Sequence, residues 1–426
     1  MKRVANPTRS TWQELCRRPA LELEFLDGRV KNIINRVKVS GDEALHELSI
    51  QIDKVSLNTF EVSTEEFNVA ESNVSASLRQ AIRIAADNIK QFHKAQQQET
   101  LFVETMPGVQ CWRKAVPIEK VGIYVPGGTA PLFSTLLMLG IPAQLAGCKE
   151  IILCTPPKPD GSVNPAILFA AKEIGIEKVF KVGGAQAIAA MAYGTASIPS
   201  VYKIFGPGNQ YVTKAKQLVS TEGIAIDMPA GPSEVLVVAD ATANPAFIAA
   251  DLLSQAEHGP DSQVVLIATD KSIIDQVLME IDQQLKTLPR KEIAELSLQN
   301  SLCLEMNDEE DITAFVNGYA PEHLIINTKN CDEMAELISN SGSVFLGQFT
   351  PESVGDYASG TNHTLPTNGF AKAFSGVSLS SFQKFITFQK LSKEGLHKLG
   401  PVVEEMATAE QLIGHKQAVS IRLNKQ

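Results

Sequence analysis

Long apolar runs, positive charge and paired cysteines are scarce in this chain. No apolar stretch approaches the roughly 20 residues that a membrane span requires, and the first residues lack the apolar core of a signal peptide. The formal net charge of -10 argues against nucleic acid or an anionic membrane as a partner, because both attract a basic surface. We therefore expect a cytoplasmic protein that acts on a small molecule.

The six cysteines, at positions 16, 111, 148, 154, 303 and 331, are scattered and form no Cys-x-x-Cys pair. This spacing argues against a disulfide framework and against a zinc site made of thiolates. We expect reduced thiols that are mostly buried and serve as small apolar side chains.

Short β-branched runs that end at glycine or proline dominate the middle of the chain. From about residue 119 they read EKVGIYVPGG, KEIILCTPP, EKVFKVGG and VYKIFGPG, and a second series includes EVLVVAD, SQVVLIATD and PEHLIINT. Helical segments lie between them, and this alternation predicts parallel sheets with crossover helices. We therefore expect an α/β fold of two units, with the active site in the cleft between them.

Amphipathic helices are expected at both ends of the chain. The first hundred residues or so have apolar side chains at helical spacing, and the pattern returns from SLSSFQKFITFQKLSKEGLHKLG onward. His46 and His93 have no ligand partner at suitable spacing, so we expect both on the surface. The short terminal piece that carries Glu410 and His415 cannot bury an apolar face alone, so it should dock on the body or on another subunit.

Three glycine-rich turns, VPGGTAP, VGGAQAI and FGPGN, each follow a strand. Backbone amides and a helix N-terminus receive phosphate at this position. None of the turns is Gly-x-Gly-x-x-Gly, and the lysine of a Walker loop is absent. Each turn alone could be structural, but three in one α/β unit favour a nucleotide-like ligand.

Glu322 and His323 are adjacent in PEHL, at the front of a β-branched run. A histidine that titrates near neutral pH and a neighbouring carboxylate can transfer a proton from an alcohol or activate a water. The alternative is a charged loop at the edge of the sheet.

Residues 353 to 367, SVGDYASGTNHTLPT, form a polar segment without periodicity. A loop of this length usually has a function or is disordered. Asp356 and His363 are possible metal or substrate groups, and the alternative for Asp356 is a turn or capping role.

Gln255 and His258 lie three residues apart in SQAEHGPDS, just before a Gly-Pro pair that ends a helix. They are either polar residues at a helix end or two ligands of a metal. Together with Asp356 and His415 they offer nitrogen and oxygen donors, which suit zinc, manganese or another borderline divalent ion. Glutamine is a weak ligand, so the spacing leaves both readings open.

Several blocks of this sequence closely resemble the histidinol dehydrogenase family. They are VGIYVPGGTAPLFSTLLML, VGGAQAIAA, FGPGNQYVTKAK, IAIDMPAGPSEVLVVAD, DLLSQAEHGPDSQ, APEHL, TPESVGDYASGTNHTLPT and EQLIGH. The resemblance implies oxidation of L-histidinol to L-histidine through L-histidinal, with two NAD and one zinc ion per subunit, as the last step of histidine biosynthesis.

The resemblance also implies a role for particular residues. Zinc would be bound by Gln255, His258, Asp356 and His415, and NAD by Tyr124, Gln186 and Asn209. Substrate would contact Ser233, Gln255, His258, His323, Asp356, Glu410 and His415. Glu322 and His323 would be the acid/base pair, with His323 taking the hydroxyl proton and Glu322 activating the water that hydrates the aldehyde.

The architecture implied by the resemblance has two incomplete Rossmann-like units, a helical N-terminal arm and a helical C-terminal tail. The expected limits are 1–22 for the arm, 23–123 with 232–375 for a discontinuous domain, 124–231 for an inserted domain that carries the NAD site, and 376–426 for the tail. The family is a homodimer whose tail crosses to the partner subunit, so Glu410 and His415 would complete the neighbour's active site.

Two other functions fit the same residues. One is a metal-dependent hydrolase in which Glu322 activates a zinc-bound water, and the other is an inactive homologue that only binds a small ligand. Aldehyde oxidation often uses a thiolate, but five cysteines have no His or Arg beside them in sequence, and Cys16 lies in the N-terminal arm. We therefore predict a hydrate, and not a thiohemiacetal, as the intermediate of the second oxidation.

Overall fold

The computed structural model describes residues 1–18, 23–127, 131–228 and 231–424. Residues 19–22 of the predicted arm and 128–130 of the first glycine-rich turn lie outside this description. The strands form three sheets. In chain order they are β1 (Lys2–Ala5), β2 (Leu101–Met106), β3 (Val109–Pro117), β4 (Lys120–Tyr124), β5 (Glu150–Thr155), β6 (Lys178–Lys181), β7 (Lys203–Phe205), β8 (Ala225–Ile226), β9 (Glu234–Ala239), β10 (Gln263–Ala268), β11 (Leu302–Glu305), β12 (His323–Asn327), β13 (Ser343–Leu346) and β14 (Gln383–Leu391).

Several helices begin at residues whose side chains cap them. Asn164 and Asn244 each accept a hydrogen bond from the backbone amide two residues later, with proline at the next position. In chain order the α-helices are α1 (Trp12–Leu15), α2 (Leu23–Leu48), α3 (Thr64–Asn73), α4 (Ala76–Lys94), α5 (Phe133–Ala146), α6 (Pro165–Glu173), α7 (Gly184–Tyr193), α8 (Gln210–Ser220), α9 (Pro245–Ala256), α10 (Lys271–Gln284), α11 (Lys291–Gln299), α12 (Glu309–Tyr319), α13 (Cys331–Ala335), α14 (Glu352–Tyr357), α15 (Lys393–Ala409) and α16 (Ile413–Asn424).

A five-stranded parallel sheet with the strand order β6-β5-β4-β7-β8 forms the first unit. Helices α3, α4, α5 and α6 bury apolar side chains on one face, whereas α2, α7 and α8 do so on the other. Helices on both faces remove the parallel strands from water, as their continuous apolar sequence requires.

The N-terminal helices α2, α3 and α4 therefore pack with this sheet. Their position differs from the predicted grouping of residues 23–123 with 232–375, because their apolar faces are buried against the five-stranded unit. The predicted limit at residue 123 also falls inside β4, which continues to Tyr124. The domain limits as a whole stay a prediction.

A six-stranded parallel sheet forms the second unit, in the order β1-β11-β10-β9-β12-β13. Helices α9, α10 and α11 cover one face, and α12 covers the other together with α1 and α13. The chain starts with an edge strand, where the sequence predicted a helical arm, because Lys2–Ala5 pairs in parallel with β11. The α/β class with parallel sheets is confirmed.

A small antiparallel sheet, β14-β3-β2, joins the tail to the body. Strand β14 lies inside the segment that the sequence predicted to be helical, and it pairs with β3 over nine residues. Phe385, Ile386 and Phe388 of β14 and Leu101 and Phe102 of β2 are large apolar side chains that are exposed in this chain.

No helix in the described ranges combines the length and the apolar character that a membrane span requires. His93, which the sequence predicted on the surface, is buried on α4. Its Nδ1 atom lies 2.9 Å from the carbonyl oxygen of Ile89, and its Nε2 atom lies 3.4 Å from the amide nitrogen of Asn362. These contacts allow the ring to be buried without an unpaired polar atom.

Candidate active site

Glu322 and His323 lie where the chain enters β12. The preceding helix α12 ends at Ala320 in a left-handed conformation, with φ 54°, and His323 pairs with Val235 of β9 and Ser343 of β13. A Cβ atom on Gly342 would lie 2.5 Å from the backbone oxygen of Glu322, so only glycine permits this close approach. Both side chains are buried, which excludes the alternative of an exposed edge loop.

The two side chains form an array with Asp356. The Glu322 carboxylate accepts a hydrogen bond of 3.0 Å from the backbone amide of Glu234, and it lies 3.7 Å from His323 Nδ1. On the other side of the ring, His323 Nε2 lies 3.2 Å from Asp356 Oδ1. Protons can therefore be exchanged among two carboxylates and one imidazole.

Burial and charge shift the pKa of every member of this array. Burial raises the pKa of Glu322 to about 8. For His323 burial acts to lower the pKa, but the nearby Glu322, Asp356 and Glu352 carboxylates raise it to about 10. Burial acts to raise the pKa of Asp356, yet the hydrogen bond and charge of His323 hold it below its usual value. Such perturbed groups in one place are typical of a functional site.

Gln255 lies in the last turn of α9, which ends at Ala256, and His258 follows two residues later. Gln255 is buried, and neither the oxygen nor the nitrogen of its side-chain amide has a hydrogen-bond partner among the described residues. Ser254, the residue before it, donates a hydrogen bond of 3.0 Å to Glu352, which fixes α9 against the helix that carries Asp356. His258 is exposed in this chain, close enough to Asp356 for the carboxylate charge to act on the ring.

Asp356 lies on the short helix α14, whereas the sequence predicted a loop. The segment after it crosses to the first unit. His363 Nδ1 lies 2.8 Å from the backbone oxygen of Asp356, and its Nε2 atom lies 3.1 Å from Thr135 Oγ1 on α5. The amide of Asn88 on α4 also donates to the Ala358 carbonyl, at 2.9 Å. The candidate site thus lies where the two units meet, and its role as the active site in the predicted cleft stays a prediction.

Glu410 and His415 lie in the tail, near the junction of α15 and α16, and both are exposed. The backbone amides of these two residues donate to the carbonyl oxygens of Met406 and Leu412, both within the tail. Across the described ranges, no hydrogen bond or ion pair joins either side chain to α9 or α14, and no three His, Cys, Asp or Glu side chains gather as a metal site. One chain therefore brings together three of the four predicted metal ligands at most.

The predicted NAD residues surround the carboxyl edge of the five-stranded sheet. Gln186 and Asn209 line a cavity of about 700 Å³, together with Gly184 and Tyr211. Helix α2 and the π-helical turn after it form the opposite wall, with the lining residues Gly28, Arg29, Asn32, Ile33, Arg36, Leu48, Gln51 and Ile52. A cavity of this size suits a nucleotide. No local pattern in the sequence predicts that α2 forms one of its walls.

Tyr124 supports this cavity from below. It is buried, and its hydroxyl accepts a hydrogen bond of 3.0 Å from the backbone amide of Gly184. Gln186 in turn lies 3.4 Å from the carboxylate of Asp53, a residue that sequence reasoning missed. Burial raises the pKa of Tyr124 to about 12, so its hydroxyl stays protonated.

The third glycine-rich turn is fixed by a buried ion pair. Gly206 adopts a φ of 125°, its amide donates to Asp227 at 2.8 Å, and its carbonyl accepts from Lys216 at 2.9 Å. Lys216 and Asp227 also contact each other. This network holds the turn that precedes Asn209, whose side chain caps α8 by accepting two backbone hydrogen bonds.

All six cysteines are free thiols, as expected, with Cys154 and Cys303 buried and the others partly buried. Burial raises the pKa of Cys148 to about 12 and that of Cys303 to about 11. A thiol with a raised pKa is a poor nucleophile.

The fold is that of an α/β enzyme, and the candidate site is a buried array of two carboxylates and one imidazole near the contact between two parallel-sheet units. A sequence model described as histidinol dehydrogenase matches residues 16–423. A histidinol dehydrogenase of Bacteroides thetaiotaomicron is 58% identical over 424 residues, covering 100% of this chain and 99% of that protein. One from Shigella sonnei is 50% identical over 415 residues, covering 97% and 95%.

A crystal structure of histidinol dehydrogenase from Elizabethkingia anophelis superimposes with a TM-score of 0.97 at 55% identity, covering 99% of this chain and 98% of that one. The chain therefore belongs to the histidinol dehydrogenase family. It is an NAD-dependent oxidoreductase, and the family expected from the sequence is confirmed.

Proposed function

We propose that the chain oxidises L-histidinol to L-histidine through L-histidinal, consuming two NAD, at the last step of histidine biosynthesis. The buried array of Glu322, His323 and Asp356 carries this proposal, because it supplies the groups that each oxidation and the intervening hydration need. The nucleotide-sized cavity at Gln186 and Asn209 supports NAD as the oxidant. We place this reaction in the cytoplasm.

Proton transfer is assigned to the two side chains at the start of β12. His323 takes the hydroxyl proton of histidinol as the carbinol carbon is oxidised, which gives histidinal. Glu322 takes a proton from the water that adds to the aldehyde, and His323 then takes a hydroxyl proton of the hydrate during the second oxidation. NAD, when bound, accepts the hydride of each oxidation. With histidinol and histidine counted as neutral molecules, histidinol, water and two NAD⁺ thus give histidine, two NADH and two protons, which His323 and Glu322 pass on to solvent.

Zinc fits the donors at the end of α9. Gln255 has a buried amide without a partner among the described residues, which is costly unless a ligand satisfies it. His258 and Asp356 add a nitrogen and a carboxylate donor, a set that suits a borderline divalent ion. Zinc, when bound, would hold histidinol by its imidazole and amine nitrogens and offset the Asp356 charge that favours a protonated His323.

A homodimer would supply the fourth ligand. Exposed apolar side chains lie on β2, on β14 and on the tail helices, and they include Phe102, Phe388 and Met406. Apolar surface of this kind on strands is typical of a protein interface. We assign Glu410 to substrate and His415 to zinc, both acting in the active site of the partner, and Ser233 to substrate contact within the chain.

Measurement of NADH from purified protein tests the proposal. Two NADH per histidinol are expected, and removal of bound metal by a chelator should abolish turnover. A metal-dependent hydrolase would act without NAD, and a ligand-binding homologue would release no NADH. One NADH per histidinol with accumulated histidinal would contradict the assignment of both oxidations to this site.

A further inference from the structure

A buried ion pair links the N-terminal segment to the start of β9. Arg18 Nε donates to one carboxylate oxygen of Glu234 at 2.7 Å, and its Nη2 atom donates to the other at 2.9 Å. The Arg18 and Glu234 side chains are 10% and 1% exposed, so water does not screen the pair. A two-pronged contact of this kind fixes orientation as well as distance.

The same guanidinium holds the chain that leads to the acid/base pair. Arg18 Nη2 donates a hydrogen bond of 2.6 Å to the backbone oxygen of Tyr319, at the end of α12. The guanidinium carbon also lies 3.7 Å from the centre of the Tyr319 ring. Tyr319 is three residues before Glu322. Arg18 therefore anchors both the start of β9 and the end of α12, the two elements that lie beside the array.

Glu234 contacts both members of the pair through its backbone. Its amide donates to the Glu322 carboxylate at 3.0 Å, and its carbonyl oxygen lies 3.4 Å from His323 Nδ1. The residue before it, Ser233, is the proposed substrate contact. A small shift of the Glu234 backbone would therefore move the two proton-transfer groups and a substrate contact together.

We propose that Arg18 is a positioning residue, which aligns Glu322 and His323 with substrate by holding Glu234 and the end of α12. This role rests on the proposed oxidation of histidinol. Arg18 contacts Glu234 and Tyr319, and we assign it no contact with the reacting atoms. Its loss should be measurable in the rate, because a displacement of the reacting groups by about 1 Å can lower the rate by up to about 100-fold.

The matched control is Arg9, which lies in the same N-terminal segment and also pairs with α12, through Glu310 and Asp311. The Arg9 side chain is 60% exposed, so its pairs contribute little. Arg18→Lys keeps the charge but loses the two-pronged contact, and Arg18→Met keeps only the length of the side chain.

Kinetics separate positioning from a merely structural role. We expect Arg18→Met to lower kcat by about 10-fold or more, with KM for NAD and the zinc content unchanged. Arg18→Lys should recover part of kcat, and Arg9→Met should match the wild type. An Arg18→Met enzyme that melts at a lower temperature yet keeps the kcat of Arg9→Met would overturn the proposal. A rise in KM for NAD as large as the fall in kcat would also overturn it.

Hydrogen exchange gives a readout that does not depend on turnover. Arg18→Met and Arg18→Lys should increase exchange in the peptides that contain Glu234 and residues 320–324, with little change around Gln186. Unchanged exchange there in both variants would refute positioning even if the wild type is active. Wild-type protein that produces no NADH from histidinol would instead refute the proposed function. If Arg18→Met does not fold, Arg18→Lys with both readouts decides between the outcomes.

Discussion

His323 Nε2 lies 3.2 Å from Asp356 Oδ1, so the proposed general base shares a hydrogen bond with a proposed metal ligand. The opposite side of the ring faces Glu322, at 3.7 Å. One imidazole thus stands between the carboxylate that would activate water and the carboxylate that would help to hold the substrate. Proton transfer and substrate positioning therefore depend on groups that contact the same imidazole, and variants should be able to separate the two roles.

His323→Asn removes the base and leaves the carboxylates in place. We expect kcat for histidinol to fall by about 100-fold or more, the usual range for loss of a general base, while bound zinc is retained. Steady-state NADH production and metal analysis of the same preparation check both parts. Turnover within a few-fold of the wild type would remove His323 from this role.

His258→Asn should behave differently. A ligand lost from a site of four donors weakens metal binding, so zinc and activity should disappear together. The control is His397→Asn, since His397 is exposed on α15 and its Nδ1 atom lies 2.8 Å from the carbonyl oxygen of Lys393 in the same helix. Unchanged zinc content in His258→Asn would refute the assignment of this residue as a ligand.

Mixing two inactive variants tests whether the tail serves the neighbouring subunit. In a dimer of His323→Asn with His415→Asn, shared sites place both lesions in one active site and leave the other intact. Random exchange of subunits should then restore about a quarter of wild-type activity. If each tail serves its own chain, every site carries one lesion and the mixture stays inactive.

Local patterns predicted where several residues of this candidate site lie in the fold, whereas their roles stay predictions. Glu322 and His323 are adjacent before a β-branched run, and Gln255 and His258 precede a helix stop, so a few residues of sequence carry their placement. The prediction of a helix at Gln383–Leu391 was wrong. A short run of aromatic, β-branched and polar residues fits the periodicity of a helix and that of a strand, and pairing with β3 stabilises the strand.

Contacts between distant positions could not be predicted from one sequence. Arg18 and Glu234 are 216 positions apart, and no local motif at either residue predicts their contact. The same holds for Asp53 beneath Gln186 and for the α2 wall of the cavity. His93 was misplaced for this reason as well, because its partner Asn362 comes from a segment far along the chain.

Asp53 is expected to set the affinity for NAD through Gln186. The amide nitrogen of Gln186 lies 3.4 Å from the Asp53 carboxylate, which holds the side chain at the cavity wall. Asp53→Ala should raise KM for NAD several-fold, about the value of one hydrogen bond, while kcat and KM for histidinol stay near wild type. Asp160→Ala is the control, because the Asp160 carboxylate accepts hydrogen bonds from Ser162 in an exposed turn and is not part of the cavity lining. An equal rise in both KM values would contradict a role confined to NAD.

Asp251 on α9 should make stability depend on pH. Burial raises its pKa to about 7, whereas an aspartate in an unfolded chain has a pKa of about 3.9. Between these values the folded protein keeps a proton that the unfolded chain has released, so the contribution to stability falls as pH rises through this window and stays low above it.

Asp251→Asn has no carboxyl to ionise, so it should escape this loss. We expect its melting temperature to exceed that of the wild type by more at pH 8 than at pH 5, with both proteins measured after metal removal. Asp282→Asn, at an exposed position of α10, should show the same small difference at both pH values. A difference for Asp251→Asn that does not change with pH would mean that burial does not hold the proton on Asp251, and the shift in its pKa would then have to be abandoned.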